Sequence, residues 1–168
     1  VVEDIVNHVK MNHLNCKQQH GFTTCKCTST NLLEVLNVIT EAQMHGIPVD
    51  ILFLDYQKAF DTVPHQRLLK QIESFGISDK ALKWIQSFLN NRRQRVRVNN
   101  ETSEWKPVLS GIPQGSILGP ILFTLYVNDI PDKLKSIIAM YADDTKLLST
   151  ITSDNPKNDL SVDLETLE

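Results

Sequence analysis

Tyr141-Ala142-Asp143-Asp144 sets two carboxylates side by side behind a short apolar run, Ile137 to Met140. A second run, Val49-Asp50-Ile51-Leu52-Phe53-Leu54, ends in a third acid, Asp55. Carboxylate oxygens suit hard divalent cations such as Mg²⁺, and two apolar strands that each deliver acids at one end can build such a site. Three crowded negative charges repel unless a cation neutralises them. Paired divalent ions are a standard means of in-line phosphoryl transfer. An isolated Asp-Asp is most often a solvated turn. The strand-borne third acid and a Gly-rich loop between the two acidic segments turn the reading toward nucleotide polymerisation.

The flanking pattern supplies the elements that must position these acids. Residues 1–15 place Val2, Ile5, Val6, Val9 and Leu14 at a helical period. Gln18 to Thr30 is polar and reads as a loop. Asn31 to His45 reads as a helix whose Leu32, Leu33, Val35, Leu36, Val38 and Ile39 make one broad buried face, ended by Gly46-Ile47-Pro48. The strand 49–55 is apolar on both faces and so is expected at the centre of a sheet. Pro64 marks a helix start, with Leu68, Leu69, Ile72 and Phe75 facing the core and Gly76 closing it. Ser78 is an N-cap candidate for a helix bearing Leu82, Trp84, Ile85, Phe88 and Leu89.

Further along, Gln94-Arg95-Val96-Arg97-Val98 alternates as a half-buried strand should, and a return strand is expected near Trp105 to Leu109. Ser110-Gly111-Ile112-Pro113-Gln114-Gly115-Ser116 is a Gly/Pro-punctuated loop. Pro120 suits the first turn of an apolar helix over 120–130. Ile137–Ala142 and Thr145–Leu148 form a hairpin with the acids at its turn. Leu160, Leu164 and Leu167 suggest one more short helix.

At 168 residues the chain suits one domain with one core, and an apolar share of 41% is that of an ordinary globular protein. No stretch approaches the roughly 20 apolar residues needed to cross a bilayer. The first residues, Val1-Val2-Glu3-Asp4, form neither a start methionine nor a signal peptide, which suggests a segment of a longer reading frame. The net charge of −3 is unevenly spread. Asp154, Asp159, Asp163, Glu165 and Glu168 crowd the end of the chain, whereas Arg92, Arg93, Arg95 and Arg97 fall within six residues. That cluster is either a phosphate contact or a solvated strand face. Cys16, Cys25 and Cys27 are too few and too irregular for a disulfide framework. With His13 and His20 they match no common zinc-finger spacing, so they read as reduced thiols of an intracellular protein.

Three segments carry a resemblance. Asp55-Tyr56-Gln57-Lys58-Ala59-Phe60-Asp61-Thr62-Val63-Pro64-His65, Gly111-Ile112-Pro113-Gln114-Gly115-Ser116-Ile117-Leu118-Gly119-Pro120 and Tyr141-Ala142-Asp143-Asp144-Thr145 resemble motifs A, B and C of reverse transcriptases. Their flavour is that of non-LTR retrotransposons, long interspersed elements of the jockey and related clades. Phe88-Leu89-Asn90-Asn91-Arg92 and Asn128-Asp129-Ile130-Pro131 resemble that family's spacer segments.

The resemblance implies an α+β palm, an antiparallel sheet backed by helices, with partial fingers over residues 1–150 and a polar acidic segment over 151–168. It implies RNA-directed DNA polymerisation with an RNA template, a DNA primer, dNTP and two Mg²⁺ ions (Mn²⁺ as a substitute). By the same carry-over, Asp55, Asp143 and Asp144 are the metal-binding triad, with Asp55 and Asp143 the direct ligands and the Tyr56 carbonyl a further one. Phe60 falls at the ribose gate, and Gln114 and Gly115 fall beside the incoming nucleotide and template base. Lys58 and Asp61 pair with each other or with substrate.

Gln19-His20-Gly21-Phe22-Thr23-Thr24-Cys25-Lys26-Cys27 resembles a Gln-x-Gly-Phe-Arg-x-Gly-Arg-Ser segment, with Thr23 in place of the Arg and Cys25 in place of the second Gly. The family's upstream fingers, motif D, thumb and endonuclease are not in this stretch, so these 168 residues alone are expected not to extend a primer. Localisation follows the family: intracellular, nuclear or cytoplasmic or both, with target-primed copying on nuclear DNA. A truncated or decayed copy that keeps the palm and at most binds nucleic acid without catalysis is the alternative.

Overall fold

Three antiparallel strands bring the acidic segments together. The computed structural model describes residues 2–151 and 159–167. Its elements run α1 (Val2–Met11), α2 (Thr28–Met44), β1 (Val49–Leu54), α3 (Ala59–Thr62), α4 (His65–Ser74), α5 (Asp79–Leu89), β2 (Arg93–Gln94), β3 (Arg97–Val98), β4 (Glu101–Thr102), β5 (Lys106–Pro107), α6 (Leu118–Tyr126), a 3₁₀ turn (Pro131–Lys133), β6 (Ile137–Tyr141), β7 (Asp144–Thr150) and α7 (Asp159–Leu167). They fall into two compact units, one of residues 15–56 and 127–168, the other of residues 1–14 and 57–126.

The first unit holds the sheet, in the order β1-β7-β6. Its hairpin pairs Tyr141 with Asp144 and Ile137 with Leu148. On its other side β7 pairs with β1, from Val49 opposite Thr150 to Leu54 opposite Thr145. The central strand is therefore β7, and β1 lies at the edge, not at the centre expected from its largely apolar sequence. The burial explains the difference: Leu147 and Leu148 are fully enclosed, while Phe53 of β1 is 69% exposed. An edge strand keeps only one partner, and apolar residues on it do not prove two covered faces.

One face of the sheet is covered by α2, where Val35 packs with Ala139 and Leu148, and Val38, Ile39, Val49 and Ile51 close around them. The helix begins three residues earlier than its periodicity suggested, because Thr30 Oγ1 accepts from the Cys27 amide at 2.9 Å. Its buried face is narrower than expected. Leu32, Leu33 and Leu36 are exposed, and only Asn31, Val35 and Ala42 are buried.

α7 packs on β7, and its Asp163 is 1% exposed. That carboxylate accepts from the backbone amides of Lys135 at 3.0 Å and Ser136 at 2.8 Å, just before β6. Burial alone would raise its pKa, but the two amides, together with the Ser136 side chain and the Lys135 charge, outweigh burial and leave it below the ordinary carboxylate value. Of the acidic stretch that begins at Asp154, Asp154 and Glu168 lie outside the described residues.

The second unit is helical. Leu68 and Ile72 of α4, Ile85 and Leu89 of α5, and Leu122 and Leu125 of α6 are all fully buried. The α4 packing follows its predicted face, and Gly76 at φ +79 ends that helix, a conformation open to glycine at little cost. The α6 helix starts at Leu118, two residues before Pro120, and stops at Tyr126 instead of 130. A proline fits there because the first helical turn leaves its amides unpaired. The expected half-buried strand over 94–98 is instead two short exposed ladders, β2 with β5 and β3 with β4, and Val96 and Val98 are 66% and 61% exposed. Alternation alone does not bury a face when no second layer packs against it.

Asp163→Asn tests the α7 tether. Because the folded carboxyl titrates below its ordinary value, the stabilisation is present above about pH 3.8 and is lost as pH falls through the folded value. Equilibrium unfolding at pH 7 should show a loss of about 1–3 kcal/mol, and the two proteins should converge in strong acid. Equal stability at pH 7 would refute the tether.

Candidate active site

The hairpin turn is built from Ala142 and Asp143 alone, since Tyr141 and Asp144 are the last paired residues. Two-residue hairpin turns that match strand twist need positive φ at their first turn position, usually glycine's place. Here Ala142 takes it at φ +56. Gln19 meets this turn. Its Oε1 accepts from the Ala142 amide at 2.8 Å and from the Gly21 amide at 2.7 Å, while its Nε2 donates to the Ala142 carbonyl at 3.2 Å. Main-chain bonds from Met140 N to Gln18 O (3.0 Å) and His20 N to Met140 O (2.9 Å) hold the segment along β6. Asn31 Nδ2 donates to Met140 O at 3.2 Å, and its Oδ1 accepts from Lys146 Nζ at 3.0 Å.

The three predicted carboxylates share one end of the sheet. Asp143 sits in the turn and Asp144 opens β7. Asp55 follows directly on Leu54, whose partner is Thr145. Asp143 is half-buried, and Asp55 and Asp144 are exposed. Among the described residues none of the three carboxylates takes a hydrogen bond or an ion pair. Their donor type suits a hard cation, and the register brings them to a common edge. The side chains as placed do not yet converge: no group of three His, Cys, Asp or Glu among the described residues forms a ready ligand set. Next to Asp55, the Tyr56 hydroxyl is buried and has no hydrogen bond of ordinary geometry among the described residues. Burial pushes its pKa up, with Thr145 opposing in smaller measure.

The other predicted residues belong to the helical unit. Phe60, half-buried on α3, stacks on Phe123 with ring centroids 4.3 Å apart and planes at 22°. Gln114 is exposed and its Nε2 donates to Asp61 Oδ1 at 3.1 Å, so Asp61 pairs with Gln114 and not with Lys58. Gly115 stands at φ +77 with open space around it. The loop carrying them is bound to the segment that follows Phe60: Gly111 N donates to Val63 O, and Ile112 N to Phe60 O, both at 2.8 Å. A Cβ on Gly111 would stand 2.5 Å from the Asp61 carbonyl oxygen, so only glycine fits there.

Sequence reasoning missed two side chains that secure this loop. His65 Nε2 donates to Gly111 O at 2.8 Å, and Arg92 donates to the same oxygen as well as to Leu89 O. Arg92 is thus half-buried, and burial lowers its pKa. Arg93, Arg95 and Arg97 remain exposed. Arg95 lies 4.6 Å and Arg93 5.8 Å from the Trp105 ring, within cation–π range, and Arg97 bonds Asn100 Oδ1 at 3.0 Å. A groove of about 580 Å³ runs between Lys58, Asp61, Gln94, Leu109 and Gln114. Cys16, Cys25 and Cys27 are all free thiols.

The family profile described as "Reverse transcriptase (RNA-dependent DNA polymerase)" matches residues 1–168. The chain belongs to the reverse transcriptase family. It is 36% identical over 141 residues to the "RNA-directed DNA polymerase from mobile element jockey" of Drosophila melanogaster, covering 79% of this chain and 15% of that protein. It is 34% identical over 151 residues to the "Probable RNA-directed DNA polymerase from transposon X-element" of the same fly, covering 83% and 16%. The chain therefore spans about a sixth of the curated relatives it matches. A solved structure of apo telomerase from Candida tropicalis, truncated from its C-terminal domain, superposes with a TM-score of 0.68 at 14% identity, covering 98% of this chain and 35% of that one. This reverse transcriptase domain is of the non-LTR retrotransposon kind, and its fold is the expected α+β palm. No helix among the described residues is long and apolar enough to cross a membrane.

Tyr56→Phe separates the tyrosine's ring from its hydroxyl. Deleting a buried hydroxyl that lacks a hydrogen bond of ordinary geometry should leave thermal stability unchanged or raise it by about 1 kcal/mol. A loss of more than that, measured by equilibrium unfolding, would show that the hydroxyl is bonded after all.

Proposed function

We propose that this domain carries the polymerising centre of an RNA-directed DNA polymerase, joining a dNTP to a primer 3′-hydroxyl on an RNA template. One observation supports the reading above the rest: in a chain of this family, three carboxylates without partners among the described residues stand at one sheet end, on a buried hairpin turn and the strand beside it. Asp55 and Asp143 would hold Mg²⁺ or Mn²⁺ directly, with Asp144 and the Tyr56 carbonyl as further oxygen donors. When bound, such ions neutralise the charge that develops on the attacking and leaving oxygens of phosphoryl transfer.

The chain's other residues then orient the reactants. Phe60, braced by Phe123, presents an aromatic plate that would bar a ribose 2′-hydroxyl. Gln114, steered by Asp61, and the adjacent Gly115 would lie beside the incoming nucleotide and the template base. Arg93, Arg95 and Arg97 offer exposed cations for phosphates, while Arg92 is drawn inward to hold Gly111. On this reading the protein works inside the cell, in the nucleus or cytoplasm or both, in company with an RNA template and a DNA primer.

Two measurements on the full-length protein test it. Asp143→Asn should abolish primer extension while thermal stability and secondary structure stay as in wild type; extension at wild-type rate would remove the triad assignment. Phe60→Val should raise the incorporation of ribonucleotides relative to deoxynucleotides, since the plate is then smaller. An unchanged ratio would show that Phe60 only fills the core beside Phe123.

A further inference from the structure

We infer that Gln19 is a positioning residue for the reaction: its side-chain amide sets the left-handed turn at Ala142 and thereby aims Asp143 and Asp144. The inference rests on the catalytic reading of those acids given above. Its geometric part is independent of that reading.

A two-residue turn leaves the amide and carbonyl of its first residue outside the strand ladder. Ala142 is only 9% exposed, so water does not satisfy these groups freely, and buried backbone groups without partners are costly. The left-handed conformation at an L-residue costs roughly a further 1–2 kcal/mol. Gln19 answers both needs with one group. It is 2% exposed, and its neutral amide accepts from Ala142 N and donates to Ala142 O.

Among side chains of this length only glutamine both donates and accepts while staying uncharged; glutamate would offer acceptors alone, and methionine neither. The amide can be oriented only one way, because Oε1 faces two N–H donors, those of Ala142 and Gly21. Gly21 completes the fit. A Cβ there would stand 2.3 Å from Ala142 N, so a side chain at this position would push the turn away.

The consequence for chemistry runs through one peptide. The plane of the Ala142–Asp143 peptide sets the direction in which the Asp143 carboxylate leaves the backbone, and Asp144 follows it into β7. Gln19 fixes that plane from its Ala142 side, and the Asn31 bridge between Met140 O and Lys146 Nζ steadies the strand ends below it. Small displacements of reacting groups cost rate steeply. Partners that orient ligands from outside typically contribute about 10- to 100-fold.

The test compares Gln19→Met, which keeps the volume and removes both bonds, with wild type and Asp143→Asn in the full-length protein. Hydrogen–deuterium exchange is followed in the peptide spanning 137–148. The expected result for Gln19→Met is a fall of about 10- to 100-fold in kcat per titrated active site, with KM for dNTP little changed, and faster exchange at the turn. A merely structural role would lower the number of active sites and leave kcat per site alone.

A retained kcat per site in Gln19→Met overturns the inference and spares the catalytic reading. Normal extension by Asp143→Asn removes the catalytic reading itself. Should Gln19→Met fail to fold, two other readouts decide. In wild type the Ala142 amide should be protected like the interior of β6 and β7, and exchange at the rate of an open turn overturns the clamp. Gly21→Ala should show the same loss of kcat, and wild-type turnover by that variant overturns it too.

Discussion

Everything at this site depends on a turn of two residues between two strands that must stay paired. The strands leave no slack: Tyr141 faces Asp144 across the ladder, so Ala142 and Asp143 reverse the chain alone. Such a reversal requires positive φ at its first position, and a residue with a Cβ occupies it. Glycine would relieve the strain and loosen the turn, because it populates more of φ/ψ space. Alanine keeps the turn stiff, provided that neighbouring groups make up its cost. The segment Gln18–Gly21, buried from Gln19 on and bonded along β6 and to the turn itself, provides that compensation.

The helical unit solves a similar problem with different means. Its loop over 110–116 carries a glycine at φ +83 and another at φ +77, which as free peptide would sample many conformations. Main-chain bonds from Gly111 and Ile112 to Val63 and Phe60 remove that freedom. His65 and Arg92 converge on the Gly111 carbonyl. A carbonyl accepting from two side chains is fixed in direction as well as place, and the exposed Gln114 three residues on inherits that order. The burial of Arg92 here shows why an arginine cluster in sequence is not a uniform surface: of two adjacent arginines, Arg92 is drawn into the fold and Arg93 stays in solvent.

Much of this was legible in the sequence. The hairpin around Asp143 and the helices carrying Leu68 and Ile85 follow from period and punctuation, while the motif residues and the palm class came from the resemblance of three short segments to a known family. What was not legible depends on partners distant in the chain. The apolar run of β1 carries no mark of whether one or two strands will flank it, so its edge position could not be read. The alternation of Gln94 to Val98 marks a strand but says nothing of whether another layer will cover it. Leu32, Leu33 and Leu36 repeat at helical spacing, yet the sheet that α2 covers is only three strands wide, too narrow to bury them all. Gln19 was visible as part of a motif-like segment; its bonds to Ala142 span more than a hundred residues and leave no periodic trace.

The acids divide by what they touch, and the division separates structure from chemistry better than sequence position does. Asp163 is buried on two backbone amides, Asp129 meets Lys133 at 2.7 Å, and Asp61 receives Gln114. Each of these carboxylates is satisfied within its own unit, and each fixes a local geometry. A free, exposed acid elsewhere on the surface needs no account, since water solvates it. Asp143 is different: it is half-buried, held on a rigid turn, flanked by a second acid, and met at the same sheet end by a third. Folding alone gains nothing from gathering like charges there, because their repulsion opposes it. The turn that carries two of the three acids is held by Gln19, itself buried, through both polar groups of Ala142.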